Sequence, residues 1–415
     1  MSDIFAGLGR QWAAIPLSNK VMLGILSYGA LVIVAARTFA PVLMNLDNAV
    51  FLPLSYYLSN TGELKPYWYD TLKYGMLNWH GFVHPTLISV FAPGSGWDDI
   101  LTGVNLLALT TFALVVFASF SIRIPMTARI AIAIVSVTLL IDFRARPETT
   151  ALLLLTILFL WHRYFPAVGA HSGKAALGAG ALYAALLYGH PSIFIMGVPC
   201  YALYAVYRLY RQDRVIVRLA LYTVLFAGAF VASSAVLSLM MYPDPLLEWY
   251  KGIFNLGGKL ASKDPVEIDF VRYFLVSRNL PFFILYLSLV ALLLVHIVNK
   301  LIMSKDNTIW WKLIAGAVLL GFIFFYYRFG IKLPPKYYNI SPLTIPAMLM
   351  LSALYFTKAG AAQQQGLPDR LWHWLKNLKL SPSYVRELMT IVTSQAGLWG
   401  PQKSSVFVAF LAVTG

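Results

Sequence analysis

The sequence predicts an all-α polytopic membrane protein of about 10–11 transmembrane helices, with long outer-face loops carrying short amphipathic helices. Three observations predict it. Hydrophobic residues make up 59% of the chain against 12% charged, and the mean hydropathy is +0.69, whereas soluble proteins carry about 25% charged residues. The apolar residues gather into runs close to the roughly 20 residues that a helical crossing needs. The 32 Lys and Arg, which leave a net charge of +15, are spread over short connections between those runs. That spread suits anionic lipid headgroups and sets orientation, and it argues against a nucleic-acid partner. The single cysteine, Cys200, lies in an apolar run and excludes both a disulfide framework and a thiolate metal site.

The N-terminal stretch holds Arg10 and Lys20 and has no short apolar core followed by a small-residue cleavage site, so the first span, 21–43, reads as a retained anchor with a cytoplasmic N-terminus. A polar segment, 37–99, follows, far beyond the roughly 12–15 residues of an ordinary loop. It carries Asp47, an aromatic run Pro66-Tyr67-Trp68-Tyr69-Asp70, Asn78-Trp79-His80 and His84-Pro85, and reads as the outer-face working segment. Spans are expected at 101–120, 128–141 and 149–160, the last two short enough that Asp142 to Glu148 between them would sit slightly inside the bilayer boundary.

The run 175–210 is too long for one crossing, and His190-Pro191 interrupts it. Read as a hairpin, it keeps Arg163, Lys174, Arg208, Arg211, Arg214 and Arg218 on one side, with His190 at the outer turn. A seventh span, 215–241, precedes a second long outer segment, 242–281. Spans at 282–298, 313–327 and 340–356 complete the set, with Arg328, Lys332 and Lys336 in a third outer loop. The module therefore covers 1–357. Residues 358–415 form a basic interfacial segment around Trp372 and Trp374, with an incomplete last span.

Charge beside a bilayer is expensive, and it is usually functional or paired. Here acids and bases meet at three outer sites: Asp47; Asp142, Arg144, Arg146 and Glu148; and Arg328, Lys332 and Lys336. An acid at the water boundary can take a proton from an acceptor hydroxyl. Guanidinium and ammonium groups can hold a phosphate whose negative charge grows as it leaves. An apolar tail on that phosphate would lie between spans. Together these features point to transfer from a lipid phosphate.

Asp47 beyond the first span, His84-Pro85 at the end of the long loop, Arg146-Pro147-Glu148 between spans three and four, the broken hairpin at His190-Pro191 and Lys336-Tyr337-Tyr338 entering a late span resemble, in this order, the GT-C glycosyltransferases. The pattern is most similar to the protein O-mannosyltransferase and lipid A aminoarabinose transferase group. The resemblance covers 21–357. It implies a multi-span enzyme of the cytoplasmic (inner) membrane with its site on the outer face. Such an enzyme takes a polyprenyl-monophosphate sugar as donor and transfers the sugar with inversion. The resemblance further implies Asp47 as catalytic base and Arg146, Lys336 and Arg328 at the donor phosphate. Glu148, Asp142, His84, His190 and Tyr337 are supporting or acceptor-side candidates. Asp47-Asn48 stands where many members have two successive acids, which leaves a divalent metal ion an open part. The chain has no large soluble domain after its last span, so the acceptor, a glycan, a lipid or a protein, is unassigned.

Each residue also has a plain reading. Asp47 suits the N-cap of a following helix. Arg146 and Glu148 suit a structural ion pair, His84 and His190 suit packing at turns, and Lys336 with its tyrosines suits an interface anchor. His80 and His84 have i, i+4 spacing but no acid partners for zinc. A transporter or flippase for lipid-linked or anionic substrates is the alternative. It would place ionisable residues in mid-span, where this chain has almost none, Arg37 being the nearest exception. An O-antigen-type ligase would keep its key residues in a large late loop.

Overall fold

A computed structural model describes residues 16–39, 46–62, 83–143, 145–165, 172–190, 193–194 and 216–241, together with Ile345, Pro346 and Leu349. Among the described residues there are eight helices and no strand: α1 (Leu17–Phe39), α2 (Leu46–Thr61), α3 (Val83–Phe91), α4 (Trp97–Ser121), α5 (Met126–Phe143), α6 (Pro147–Tyr164), α7 (Ser172–Gly189) and α8 (Ile216–Met241). Three of them are long and apolar enough to cross a membrane, over Leu17–Thr38, Trp97–Ser121 and Ala220–Leu237. Helices α5 and α6 have 18 residues each, or about 27 Å, a little under the roughly 30 Å of a hydrocarbon core.

The helix ends follow from local chemistry. Gly96 precedes α4, and its N–H donates to Asp99 Oδ2 at 3.0 Å, while Asp98 and Asp99 put acid in the first turn, where the helix dipole favours it. Pro125 separates α4 from α5 and accepts from the Ala128 and Arg129 N–H groups. Helix α6 opens on Pro147 and Glu148 and closes on His162 and Arg163, the polarity that a helix prefers at both ends. Gly62, at φ 69°, ends α2, with its N–H on the Leu58 carbonyl. Hydroxyls inside apolar helices are satisfied by the preceding turn, as with Thr111 on Leu107 O, Ser136 on Ile132 O and Thr156 on Leu152 O.

Helix directions follow from a few contacts. Arg37, in the last turn of α1, donates to Val104 O and Asn105 Oδ1 near the start of α4 and to Leu140 O near the end of α5. The end of α1, the start of α4, the end of α5 and hence the start of α6 therefore share one end of the bundle. Gly189, the last residue of α7, packs on Leu154 and Thr150 at that same end. At the other end Trp161 Nε1 donates to Ala175 O at 2.8 Å and Arg163 donates to Ser121 O. All five acids in the described stretches, Asp47, Asp98, Asp99, Asp142 and Glu148, belong to the first end. Lys20, Arg123, Arg129, Arg163, Lys174 and Arg218 belong to the second.

Helices α7 and α8 run parallel. Ala175 and Ala176 pack on Tyr222, Gly180 on Phe226 and Phe230, and the Tyr188 hydroxyl donates to Ser234 O at 2.8 Å. The close approach needs glycine, because a Cβ on Gly180 would come within 2.5 Å of Phe226 O and 2.8 Å of Phe230 N. Two parallel neighbours in sequence require the chain to return from one end to the other between them. The starts of α7 and α8 thus share one end; the second arm of the hairpin expected over 175–210 lies outside the described residues.

The main core joins α1, α4, α5, α6 and α7, and Ile345 and Leu349 from the expected tenth span pack into it. The spans expected at 282–298 and 313–327 lie outside the described residues. The segment 37–99, read as a polar loop, is in part a packed layer. Phe51, Leu52, Leu54 and Leu58 of α2 and Ile88 of α3 are buried, and α3 lies against α4 at Gly103, where a Cβ would come within 2.5 Å of Ile88 O.

Candidate functional site

The site is built on the turn between α5 and α6. Proline at 147 restricts the residue before it to extended backbone, and Arg146 has φ −91° and ψ 150°. From there its guanidinium reaches two residues on and grips the Glu148 carboxylate with both arms, Nε to Oε2 at 3.2 Å and Nη2 to Oε1 at 3.0 Å. Paired hydrogen bonds of this kind are among the strongest that a protein side chain makes. The Glu148 side chain is 1% exposed and that of Arg146 11%, so a solute arriving here meets the cation before the carboxylate.

Two histidines close on this pair. His190 follows α7, and its Nδ1 accepts the Ile193 N–H at 3.3 Å. The ring proton is thereby assigned to Nε2, which lies 3.9 Å from Glu148 Oε1. At that distance the contact is longer than a hydrogen bond.

His84, in the first turn of α3, is fully buried and held at both ring nitrogens. Nε2 donates to the Ala145 carbonyl at 2.9 Å. Because a carbonyl only accepts, Nδ1 is the bare nitrogen and takes the Thr150 hydroxyl proton at 2.8 Å. His84 therefore spans the Arg146–Glu148 pair from outside, with one bond to the residue before it and one to the second residue after it. Burial pulls its pKa down to about 4, against the opposing pull of the Ala145 carbonyl, so the ring is neutral at ordinary pH. Phe51 of α2 packs edge-on to it, with centroids 5.1 Å apart and planes at 81°.

That contact fixes the placement of Asp47. It stands in the first turn of α2, inside the helix and not ahead of it as an N-cap would be, one turn before Phe51. Its side chain lies outside what is described, as does that of Asp142 at the end of α5. Arg328, Lys336 and Tyr337 lie outside the described residues. Of the candidates that the sequence singles out, four thus share one neighbourhood: His84, Arg146, Glu148 and His190, with the helix of Asp47 packed against them.

Sequence reasoning missed Thr150, the Ala145 carbonyl and Phe51, all partners of His84. Nothing local marks them, since Thr150 sits in an apolar helix and is 66 residues from His84 in the chain. Thr149 beside it is buried, and its hydroxyl has no hydrogen-bond partner among the described residues. Among the described residues no three His, Cys, Asp or Glu side chains gather to hold a metal ion.

The chemistry open to this cluster is limited by its own bonding. Glu148 is committed to Arg146, and His84 is neutral with both nitrogens engaged, so neither is arranged to take a substrate proton. What the cluster presents at the end of the bundle is the Arg146 guanidinium, 11% exposed and held by Glu148 through Nε and Nη2. Compared with family models, curated proteins and solved structures, the chain finds no match.

Proposed function

We propose that the chain is a GT-C-type membrane glycosyltransferase. It moves a sugar from a polyprenyl-monophosphate donor to an acceptor hydroxyl at the outer membrane face, with inversion at the anomeric carbon. The observation that carries this reading is convergence. Three motifs lying far apart in sequence, His84-Pro85, Arg146-Pro147-Glu148 and His190, meet at one end of the bundle beside the helix that bears Asp47.

In this reading the acidic end is the outer one. That matches the gathering of Lys20, Arg123, Arg129, Arg163, Lys174 and Arg218 at the opposite end, which the positive-inside tendency makes cytoplasmic. Asp47 removes the acceptor hydroxyl proton as the oxygen attacks the anomeric carbon from the face away from the phosphate. The bond from that carbon to the phosphate oxygen breaks, and the polyprenyl phosphate leaves with the bonding pair. Arg146, with Lys336 and Arg328, takes up the growing phosphate charge. Glu148 holds the guanidinium, and His84 ties the Ala145 carbonyl to Thr150 across it, so that little reorganisation is needed when that charge develops.

Replacing Asp47 by Asn tests the assignment. Sugar transfer should fall by at least about a hundredfold, while polyprenyl phosphate still copurifies, as read by lipid mass spectrometry. Full transfer activity in that variant would remove Asp47 from the mechanism. A lipid extract without any polyprenyl phosphate, from wild type and variant alike, would favour the transporter reading.

A further inference from the structure

The junction of α2 with α4 carries an aromatic platform that the donor cluster does not use. Tyr56 and Trp97 stack with centroids 4.7 Å apart and planes only 8° apart, and Trp97 remains 45% exposed. Tyr56 thus backs the indole while the tryptophan stays accessible. The platform is fixed in place. Ser59 Oγ donates to Gly94 O at 3.1 Å, and the Asn60 amide nitrogen donates to Tyr56 O at 2.8 Å and Ser95 O at 2.9 Å, pinning the turn before Trp97 onto α2. Asn60 is itself exposed, and its amide oxygen is an acceptor. Asp98, the residue after Trp97 in the first turn of α4, is exposed, and Asp99, which accepts the Gly96 N–H, is partly exposed.

This combination selects a ligand chemistry. A flat, rigid aromatic face binds an apolar plane, while carboxylates and an amide oxygen accept hydrogen bonds from hydroxyls around it. A pyranose has both, an apolar face of C–H groups and a rim of hydroxyls. An interfacial tryptophan anchor in an anionic leaflet keeps company with Lys and Arg. Here the neighbours are two acids, which repel a phosphate headgroup and leave a neutral sugar unhindered.

Tyr56 lies five residues along α2 from Phe51, about 7.5 Å of helix, and Phe51 touches His84. Platform and donor cluster therefore lie along one helix at the same end of the bundle. We propose that Trp97, backed by Tyr56 and flanked by Asp98 and Asn60, is an acceptor subsite that binds a neutral pyranose, which makes the acceptor a glycan. The acceptor role rests on the glycosyltransferase reading; the sugar site itself does not.

The test is saturation-transfer NMR on the full chain in lipid nanodiscs, with maltohexaose, cellohexaose and α-1,6-mannohexaose as probes. At least one should receive saturation at its pyranose C–H protons. W97F should retain the signal, and W97A should lose about tenfold in affinity. Should W97A fail to fold, D98N, which leaves the stack intact, should still weaken binding. Equal binding by wild type, W97A and D98N, or no transfer to any probe from wild type, would overturn the subsite. So would release of W97A from nanodiscs with sugar binding untouched, which would make Trp97 a membrane anchor. Loss of the polyprenyl phosphate reading with Trp97-dependent sugar binding intact would instead point to a sugar-binding protein of another activity.

Discussion

The two ends of the bundle use arginine in opposite ways. At the basic end, Arg163 donates to Ser121 O and Arg129 to Ile122 O, so both cap the carbonyls that α4 leaves unpaired at its C-terminus. No carboxylate is involved in these bonds, and Arg129 also lies over the Phe120 ring. At the acidic end, Arg146 is paired with a buried carboxylate at the N-terminus of α6, which His190 approaches to 3.9 Å, while His84 bonds to Ala145 and Thr150 on either side of the pair. Arg37 shows that the acidic end also uses the first mode in part, since one of its bonds goes to Leu140 O in the last turn of α5, the others reaching Val104 O and Asn105 Oδ1 within α4. The difference teaches what to look for. A cation at a helix C-terminus is explained by the helix, and so is the acid in the first turn of α6, whereas the arginine that pairs with that buried acid is not required by the helix end.

The largest expected effect comes from breaking that pair. Arg146→Met leaves the Glu148 carboxylate buried and unpaired and should destabilise the chain by about 3–5 kcal/mol, read as a thermal midpoint in detergent. The double variant Arg146→Met with Glu148→Leu should recover most of the stability while sugar transfer stays lost. A single variant no less stable than Arg163→Gln would erase the distinction between the ends.

The next effect is one of pH. Folded His84 stays neutral down to about pH 4, whereas the unfolded chain takes up its proton below about pH 6.5. Protons therefore favour the unfolded state between those values, and stability should fall as pH drops through the window, by about 1.4 kcal/mol per unit and about 3 kcal/mol across it. His84→Gln should flatten this part of the profile. An unchanged slope would place the titration elsewhere.

Third, Gly103→Leu presses on the Ile88 and Ala92 backbone and should cost about 1–3 kcal/mol. Since α3 carries His84, it should also lower transfer activity. A variant stable and fully active would show that the seat of α3 has no bearing on the site. Smallest of all, Arg163→Gln should cost about 0.5–1 kcal/mol in the same unfolding assay, with transfer unaffected.

Much of this was legible in the sequence, for plain physical reasons. Charge placed the ends of the helices, because Arg163, Lys174 and Arg218 had to share a side, and the parallel course of α7 and α8 agrees with that. The Arg-Pro-Glu spacing announced an ion pair or an anion site, and the pair is there. The segment holding α2 was harder to read. Ser55, Ser59 and Asn60 gave it the look of an exposed loop, yet Ser55 bonds to Phe51 O and Ser59 to Gly94 O, so their polarity is spent internally while the leucines between them are buried. The clamp by His84 was beyond reach, because its partners lie 61 and 66 residues away and one of them is a main-chain oxygen.

The parallel pair α7 and α8 bears on how the chain is made. Helix α7 leaves the ribosome with the glycine face that α8 will cover still bare, and it must wait until the polypeptide has come back before Tyr188 can meet the Ser234 carbonyl. Reporters fused after residue 190 and after residue 241 would face one compartment, and a reporter fused at residue 215 the other. A nascent chain stalled between those points would hold an unfinished seam, the natural place for an insertion factor or a quality-control protease to act.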